Sequence, residues 1–166
     1  IKYRVCVDTS PIMEKKWAQI GGLGWIGKHT NLINNNIGSW FFISEILLDI
    51  ELKYDEPFKE DLCGTCTSCL DACPTSALDS YVLDSNKCIS YLTIEHRGEI
   101  NDKFKNQLDD WIYGCDICQE VCPWNIKFSK ISNEKNFSIN KHIENFKRED
   151  WEKLNKEKYK KIFKNS

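Results

Sequence analysis

No apolar run in this 166-residue chain approaches the roughly 20 residues needed to cross a bilayer. The most apolar stretch, Trp40 to Ile50, is interrupted by Ser44, Glu45 and Asp49. A membrane-spanning helix is therefore excluded, and no signal-peptide pattern is present, so the expected compartment is the cytoplasm. Low-complexity tracts are absent, and nothing repeats except two cysteine motifs. The three histidines, His29, His96 and His142, are scattered without metal-ligand spacing and read as surface residues. Gly22-x4-Gly27-Lys28 has the outline of a phosphate-binding loop but lacks the Ser or Thr that would hold magnesium, because His29 follows. It also sits after an expected helix rather than between a strand and a helix, so nucleotide hydrolysis is excluded.

What is present supports a folded redox protein. Hydrophobic residues make up 41% of the chain, enough for a packed core. Nine cysteines would suggest disulfides in a secreted domain, but an odd number at tight, repeated spacings favours metal ligation. The net charge of −2 conceals an asymmetry. Residues 1–126 carry 11 Lys/Arg against 19 Asp/Glu, and residues 127–166 carry 12 against 6. The basic C-terminal part is either a solvated lysine-rich helix or a phosphate-binding surface. The chain begins at Ile1 and ends in a lysine-rich stretch, so a piece of a longer protein is expected.

Tyr3 to Val7 reads as a short strand, with Asp8 at its end and a break at Ser10-Pro11. Pro11 suits the first turn of a helix that carries Ile12, Met13, Trp17 and Ile20 on one face and stops at Gly21-Gly22. Gly22 to Lys28 is expected as a glycine-rich loop. Asn31 to Asn36 and Gly38 to Leu48 are expected as two strands around the turn Asn34-Asn35-Asn36. Asp49 to Leu62 reads as a charged connection and Cys63 to Cys122 as short helices and loops. Asn125 to Ser138 reads as loop, and Lys141 to Phe163 as one or two helices.

The first cysteine motif, Cys63-x2-Cys66-x2-Cys69-x3-Cys73-Pro74, is the bacterial ferredoxin run. Three thiolates on one tight loop reach three irons of a cube, and the fourth, expected to begin a helix, ligates the other cluster. The second motif, Cys115-x2-Cys118-x3-Cys122-Pro123, is one cysteine short, because Ile112 stands where the first would be. Cys88 is the one unassigned cysteine between the motifs and fills the gap. One 4Fe-4S cluster then takes Cys63, Cys66, Cys69 and Cys122, and the other takes Cys73, Cys88, Cys115 and Cys118. Zinc prefers paired Cys-x2-Cys units separated by a longer loop and suits this run poorly. Cys6 alternates with apolar residues and reads as a buried structural thiol. Asp8, at a strand end beside a proline turn, is either a proton donor or the cap of the helix that follows.

Val7-Asp8-Thr9-Ser10-Pro11, Gly22-Leu23-Gly24-Trp25-Ile26-Gly27-Lys28 and Gly38-Ser39-Trp40 together resemble the epoxyqueuosine reductase family. So do Cys88 to Glu95 and Gly114 to Asn125, and the resemblance covers nearly the whole chain. It implies a cobalamin enzyme with two 4Fe-4S clusters, reducing epoxyqueuosine to queuosine in tRNA. It implies an α+β architecture: residues 1–62 as part of a cobalamin-binding α/β domain, 63–126 as a ferredoxin-like two-cluster module, and 127–166 as a basic helical extension. The family's N-terminal portion and its helical-repeat region have no counterpart in this sequence. The family's catalytic acid matches Asp8, and Ser90 and Lys28 are the expected cobalamin contacts. The implied partners are tRNA carrying epoxyqueuosine and an electron donor such as ferredoxin or flavodoxin, with the chain a monomer. Two other readings are a ferredoxin-like electron-transfer module and a relative of the corrinoid reductive dehalogenases. The residues before Cys63 discriminate, because a bare ferredoxin needs neither the Val-Asp-Thr strand end nor the Gly-Leu-Gly-Trp-Ile-Gly-Lys loop.

Overall fold

The computed structural model describes residues 4–7 and 10–164, and these form two compact units divided after Lys130. The architecture is α+β: short helices with two small antiparallel sheets. No helix among the described residues is long and apolar enough to cross a membrane.

The first unit opens with helix α1 (Glu14–Ile20), whose run of Glu, Lys, Ala and Gln favours a helix. It ends because Gly22 adopts φ +77°, letting its N–H reach the Gln19 carbonyl while Leu23 N–H reaches Ala18. A Cβ on Gly22 would also meet the Glu56 carbonyl at 2.7 Å. Pro11 lies ahead of this helix rather than in its first turn, since Met13 is the N-cap. The anticipated apolar face is present but turned outward: Met13, Trp17 and Ile20 are exposed and Ala18 is the buried residue.

Two strand expectations are corrected. Tyr3 lies outside the described residues, and Arg4 to Val7 form no strand, with Val5 and Val7 exposed. The glycine-rich segment is not all loop, because it contains strand β1 (Trp25–Ile26). This pairs with β2 (Leu32–Ile33) in the register Trp25↔Ile33 and Ile26↔Leu32. The turn at Asn34-Asn35-Asn36 exists and closes through a bridge between Asn34 and Gly38. Beyond it, the segment to Leu48 makes no strand. Its apolar runs find no partner strand among the described residues of this unit, and Phe42, at 88% exposure, typifies the segment. Cys6 is half-buried rather than buried. His29 is not at the surface: it is 3% exposed, at the tip of the β1–β2 turn.

The cysteine module follows: helix α2 (Ser68–Asp71), hairpin β3–β4 (Leu78–Asp79 and Val82–Leu83), and helices α3 (Ile89–Ile94), α4 (Ile117–Glu120) and α5 (Pro123–Phe128). Its core joins it to the preceding segment. Trp25 (1% exposed) stacks on Phe58 at 5.6 Å and meets Trp124 edge-on at 4.9 Å, against Ile33 and Cys122. A buried polar knot adds to this. Asn125 Oδ1 accepts the Ser39 N–H at 2.6 Å, and Asn125 Nδ2 donates to Ser39 Oγ and the Gln119 carbonyl. Gly38 is required beside it: its φ is +74°, and a Cβ there would strike Asn125 Oδ1.

The second unit has a short 3-10 turn (Lys135–Phe137) and two helices, α6 (Arg148–Glu152) and α7 (Lys156–Ile162). An aromatic cluster of Phe146, Trp151, Tyr159 and Phe163 holds it together. Asn155 caps α7, its side chain accepting the Lys158 N–H.

Asn125 is 2% exposed and satisfies groups on two other segments, at Ser39 and Gln119, so losing it strands buried donors and acceptors. Asn125→Leu is expected to cost about 2–4 kcal/mol, the penalty for two unsatisfied buried partners. A chemical denaturation midpoint no lower than that of the unaltered protein would disprove the role of this knot.

Candidate iron-sulfur site

The two cysteine motifs fold as structural copies of one another. Thr67 caps α2 at φ −123°, ψ 6°, and Asp116 caps α4 at φ −115°, ψ 5°. The helices end alike, at Ala72 (φ −81°, ψ −14°) and Val121 (φ −81°, ψ −4°). Equal spacing has thus produced equal backbone, and α2 packs on α4. Ile112, at the position of the missing cysteine, is exposed.

The symmetry breaks at the last cysteine of each motif. Cys122 is the N-cap of α5, with Pro123 at the first helical position, as expected. Cys73-Pro74 instead enters a turn leading to β3, so no helix begins there. Cys88 occupies the equivalent of Cys122: both have φ −69°, ψ 121°, and both head a helix.

Two cavities result. One, about 150 Å³, is lined by Cys63, Cys66, Cys69 and Cys122 with Ile33, Leu62 and Trp124. The other, about 370 Å³, is lined by Cys73, Cys88, Cys115 and Cys118 and extends to Lys15, Ser90 and Tyr91. Among the described residues, no three Cys, His, Asp or Glu side chains converge on a point suited to one metal ion. The thiols surround space instead, which suits a polynuclear cluster.

The electrostatics agree with a buried thiol set waiting for positive charge. Burial pushes the Cys118 thiol up to about 12, with Cys115, Cys69, Cys88 and Cys73 adding to the effect. Burial also raises Cys69, Cys115 and Cys122. Cys66 moves the other way, because the Ser68 side chain and then its backbone N–H stabilise the thiolate. Iron reverses the penalty at the buried thiols, since a bound cation deprotonates its thiol ligands.

Groups around the sulfurs are already aimed at them. Trp25 Nε1 donates to Cys63 Sγ at 3.4 Å, and the Ala77 N–H donates to Cys73 Sγ at 3.3 Å. Ser68 Oγ lies 3.4 Å from Cys66 Sγ. Lys28, called a cobalamin contact on sequence grounds, has its ammonium on the carbonyls of Gly64 (2.7 Å) and Cys66 (2.9 Å). It clamps the first cysteine loop. The adjoining β3–β4 turn is held as well, since Tyr81 N–H donates to the Lys28 carbonyl and Tyr81 Oη donates to Asp61. That contact holds the Asp61 carboxyl below its usual range and pushes Tyr81 up to about 12.

Ser90, the second residue of α3, is half-buried and lines the larger cavity. Asp8 lies outside the described residues. Sequence reasoning missed Trp25, His29 and Asn125. His29 follows Gly27-Lys28 in a turn between two apolar strands, a position that signals burial once the hairpin is seen.

Residues 62–125 match the model of the 4Fe-4S double cluster binding domain. The chain is 48% identical to an epoxyqueuosine reductase of Leadbetterella byssophila over 98% of its own length and 53% of that protein. A Cellulophaga algicola epoxyqueuosine reductase gives the same identity and coverage. The chain thus spans about half the length of the curated relatives it matches. Among solved structures, the Streptococcus thermophilus epoxyqueuosine reductase superposes with a TM-score of 0.77 at 28% identity, over 96% of this chain and 41% of that one. An epoxyqueuosine reductase bound to an epoxyqueuosine-modified tRNA-Tyr stem loop superposes with a TM-score of 0.70 at 36% identity, over 76% of this chain and 33% of that one.

Anaerobic reconstitution is expected to load about eight irons per chain, two four-iron clusters on eight thiolates. Cys88→Ser should reduce that to about four by removing a ligand from the larger cavity, whereas Cys6→Ser should leave it unchanged. Iron and sulfide assays read both outcomes, and full loading in Cys88→Ser would exclude Cys88 as a ligand.

Proposed function

Because this chain belongs to the epoxyqueuosine reductase family, we propose that it forms the two-cluster, electron-delivering part of an enzyme that reduces epoxyqueuosine to queuosine in tRNA. Within it, Cys63, Cys66, Cys69 and Cys122 hold one cluster, and Cys73, Cys88, Cys115 and Cys118 hold the other. Residues 1–62 contribute to a cobalamin-binding domain, 63–126 form the cluster module, and 127–166 form a basic helical extension.

The observation that carries this reading is the inequality of the cavities. Each is bordered by four thiols, yet the one holding Cys88 is about 370 Å³ and the other about 150 Å³. The larger cavity also reaches Ser90, Tyr91 and Lys15, and its volume supports a second redox group beside the cluster. A ferredoxin-like module alone does not need that space. Ser90 is the polar side chain of this chain best placed to meet a corrinoid there. Lys28 would have to abandon two carbonyls of the cysteine loop to do so, and we assign it to holding that loop.

Removing an epoxide oxygen as water takes two electrons and two protons. Cobalamin, when bound, supplies the low-potential reduction of the epoxide, with electrons delivered singly through the clusters from a ferredoxin or flavodoxin. The protein's own residues do the rest. The eight cysteines fix the electron path, and the proximity of Cys69 to Cys118 joins its two halves. Asp8 holds the proton for the departing oxygen. A solved reductase from Bacillus subtilis is described with its catalytic aspartate loop swung out of the active site, which supports giving that role to an aspartate. A tRNA substrate supports a cytoplasmic enzyme, and we take it to act as a monomer.

Asp8→Asn in the full-length protein is expected to retain about eight irons and lose about 10²–10⁴-fold in queuosine formation, the usual value of general acid catalysis. Mass spectrometry of tRNA reads this as accumulated epoxyqueuosine. Asn caps a helix about as well as Asp, so near-normal queuosine would leave Asp8 as a cap.

The second unit presents Lys158, Lys160 and Lys161 on α7, all exposed. If they meet tRNA phosphates, binding weakens steeply with salt, because each neutralised phosphate releases counterions. Reversing these three charges should weaken tRNA binding and flatten the slope of log affinity against log salt. An unchanged slope would make the lysines ordinary solvated surface.

A further inference from the structure

His29 takes no part in the chemistry described so far, yet it is 3% exposed and lines both thiol-bordered cavities. Its imidazole is fixed in the β1–β2 turn, where Nδ1 accepts the Asn31 N–H at 3.2 Å. With Nδ1 an acceptor, the neutral ring carries its proton on Nε2. That N–H is buried and has no hydrogen-bond partner. Buried donors without acceptors are rare because they forfeit their hydration.

Among the described residues no protein atom satisfies this N–H, which points to an acceptor that fills a cavity. Water is a poor occupant of the smaller one, where a water would need two to four polar partners. The neighbours there are Ile33, Leu62, Pro123 and Trp124 with the four thiols, and the Lys28 ammonium is already engaged by the Gly64 and Cys66 carbonyls. An iron-sulfur cluster, in contrast, presents sulfide and thiolate sulfurs, which accept hydrogen bonds and are otherwise poorly solvated. Trp25 Nε1 and the Ala77 N–H show the same arrangement, each aimed at a cysteine sulfur.

We infer that His29 Nε2–H donates a hydrogen bond to a sulfur of a bound cluster and sets that cluster's reduction potential. His29 is a positioning and tuning residue, acting through this one hydrogen bond to the cluster. A donor at the sulfur stabilises the more negative, reduced cluster and so raises its potential. The inference rests on both thiol quartets holding clusters, which the iron assay tests separately.

The test uses the anaerobically reconstituted chain with iron content measured first. Fewer than two clusters in the unaltered protein would overturn the cluster reading and this inference with it. With two clusters present, His29→Phe is expected to make one cluster about tenfold harder to reduce, a drop of about 59 mV for a one-electron couple, and to leave the other unchanged. Independently, pulsed EPR of the reduced, ¹⁵N-histidine-labelled unaltered protein should show a weak ¹⁵N coupling and an exchangeable proton coupling. Persistence of the coupling in Cys88→Ser places the acceptor in the Cys63 quartet, and its loss places it in the Cys88 quartet. Unchanged potentials in an iron-replete His29→Phe, or absence of histidine coupling in the unaltered protein, would overturn the inference. If His29→Phe loses iron, the labelled unaltered protein decides the question by itself.

Discussion

Four sulfurs must close around a cube of iron and sulfide, twice, within one small unit, and much else follows from that demand. A thiol buried among other thiols resists ionisation, as the rise of Cys118 to about 12 shows. Cysteines so crowded gain little as a hydrophobic core and need the cluster's positive charge to become good ligands. The loops carrying them are also short and poor in regular structure: α2 and α4 are four residues each. The shape of the module therefore depends on what surrounds the sulfurs, and on what they bind, more than on helix or sheet stability.

Much of that surrounding comes from the segment before the first cysteine. Trp25 covers Cys63 and closes an aromatic stack with Phe58 and Trp124. Lys28 gathers two carbonyls of the first loop, and His29 stands between the cavities. Ser39 binds Asn125, just beyond the last cysteine. The β1–β2 hairpin is thus a working part of the cluster module. Its glycines serve the same end: a Cβ on Gly24 would strike the Ile33 carbonyl, so the hairpin could not close so tightly with any other residue there.

The rest of the first unit is less self-sufficient. Met13, Trp17 and Ile20 on α1, and Phe42, Ile46, Leu47 and Tyr54 in the long connection, are exposed. These residues include the most apolar stretch of the chain, yet they contribute little to its core. The second unit differs in kind, a small aromatic cluster under a lysine-rich surface, and its excess of positive charge balances an acidic first unit.

What could be read without coordinates was local. Cysteine spacing gave two tight loops, the gap at Ile112 singled out Cys88, and Gly21-Gly22 ended α1 where a helix stop was expected. These features depend on neighbours a few residues away, and short-range geometry is written into residue order. The strand expected from Gly38 to Leu48 failed because apolar runs beside a turn show only that a segment would suit a sheet, and this one has no partner strand among the described residues. His29 was misplaced for a related reason: a histidine in a polar turn looks exposed until the turn is folded onto the cysteine loops. The meeting of Trp25 with Cys63 and of Ser39 with Asn125 spans 38 and 86 residues. Sequence alone determined that this chain carries two cysteine loops suited to two clusters. Tertiary structure decided which side chains close over them, because burial and hydrogen bonding between distant segments exist only once the chain has folded.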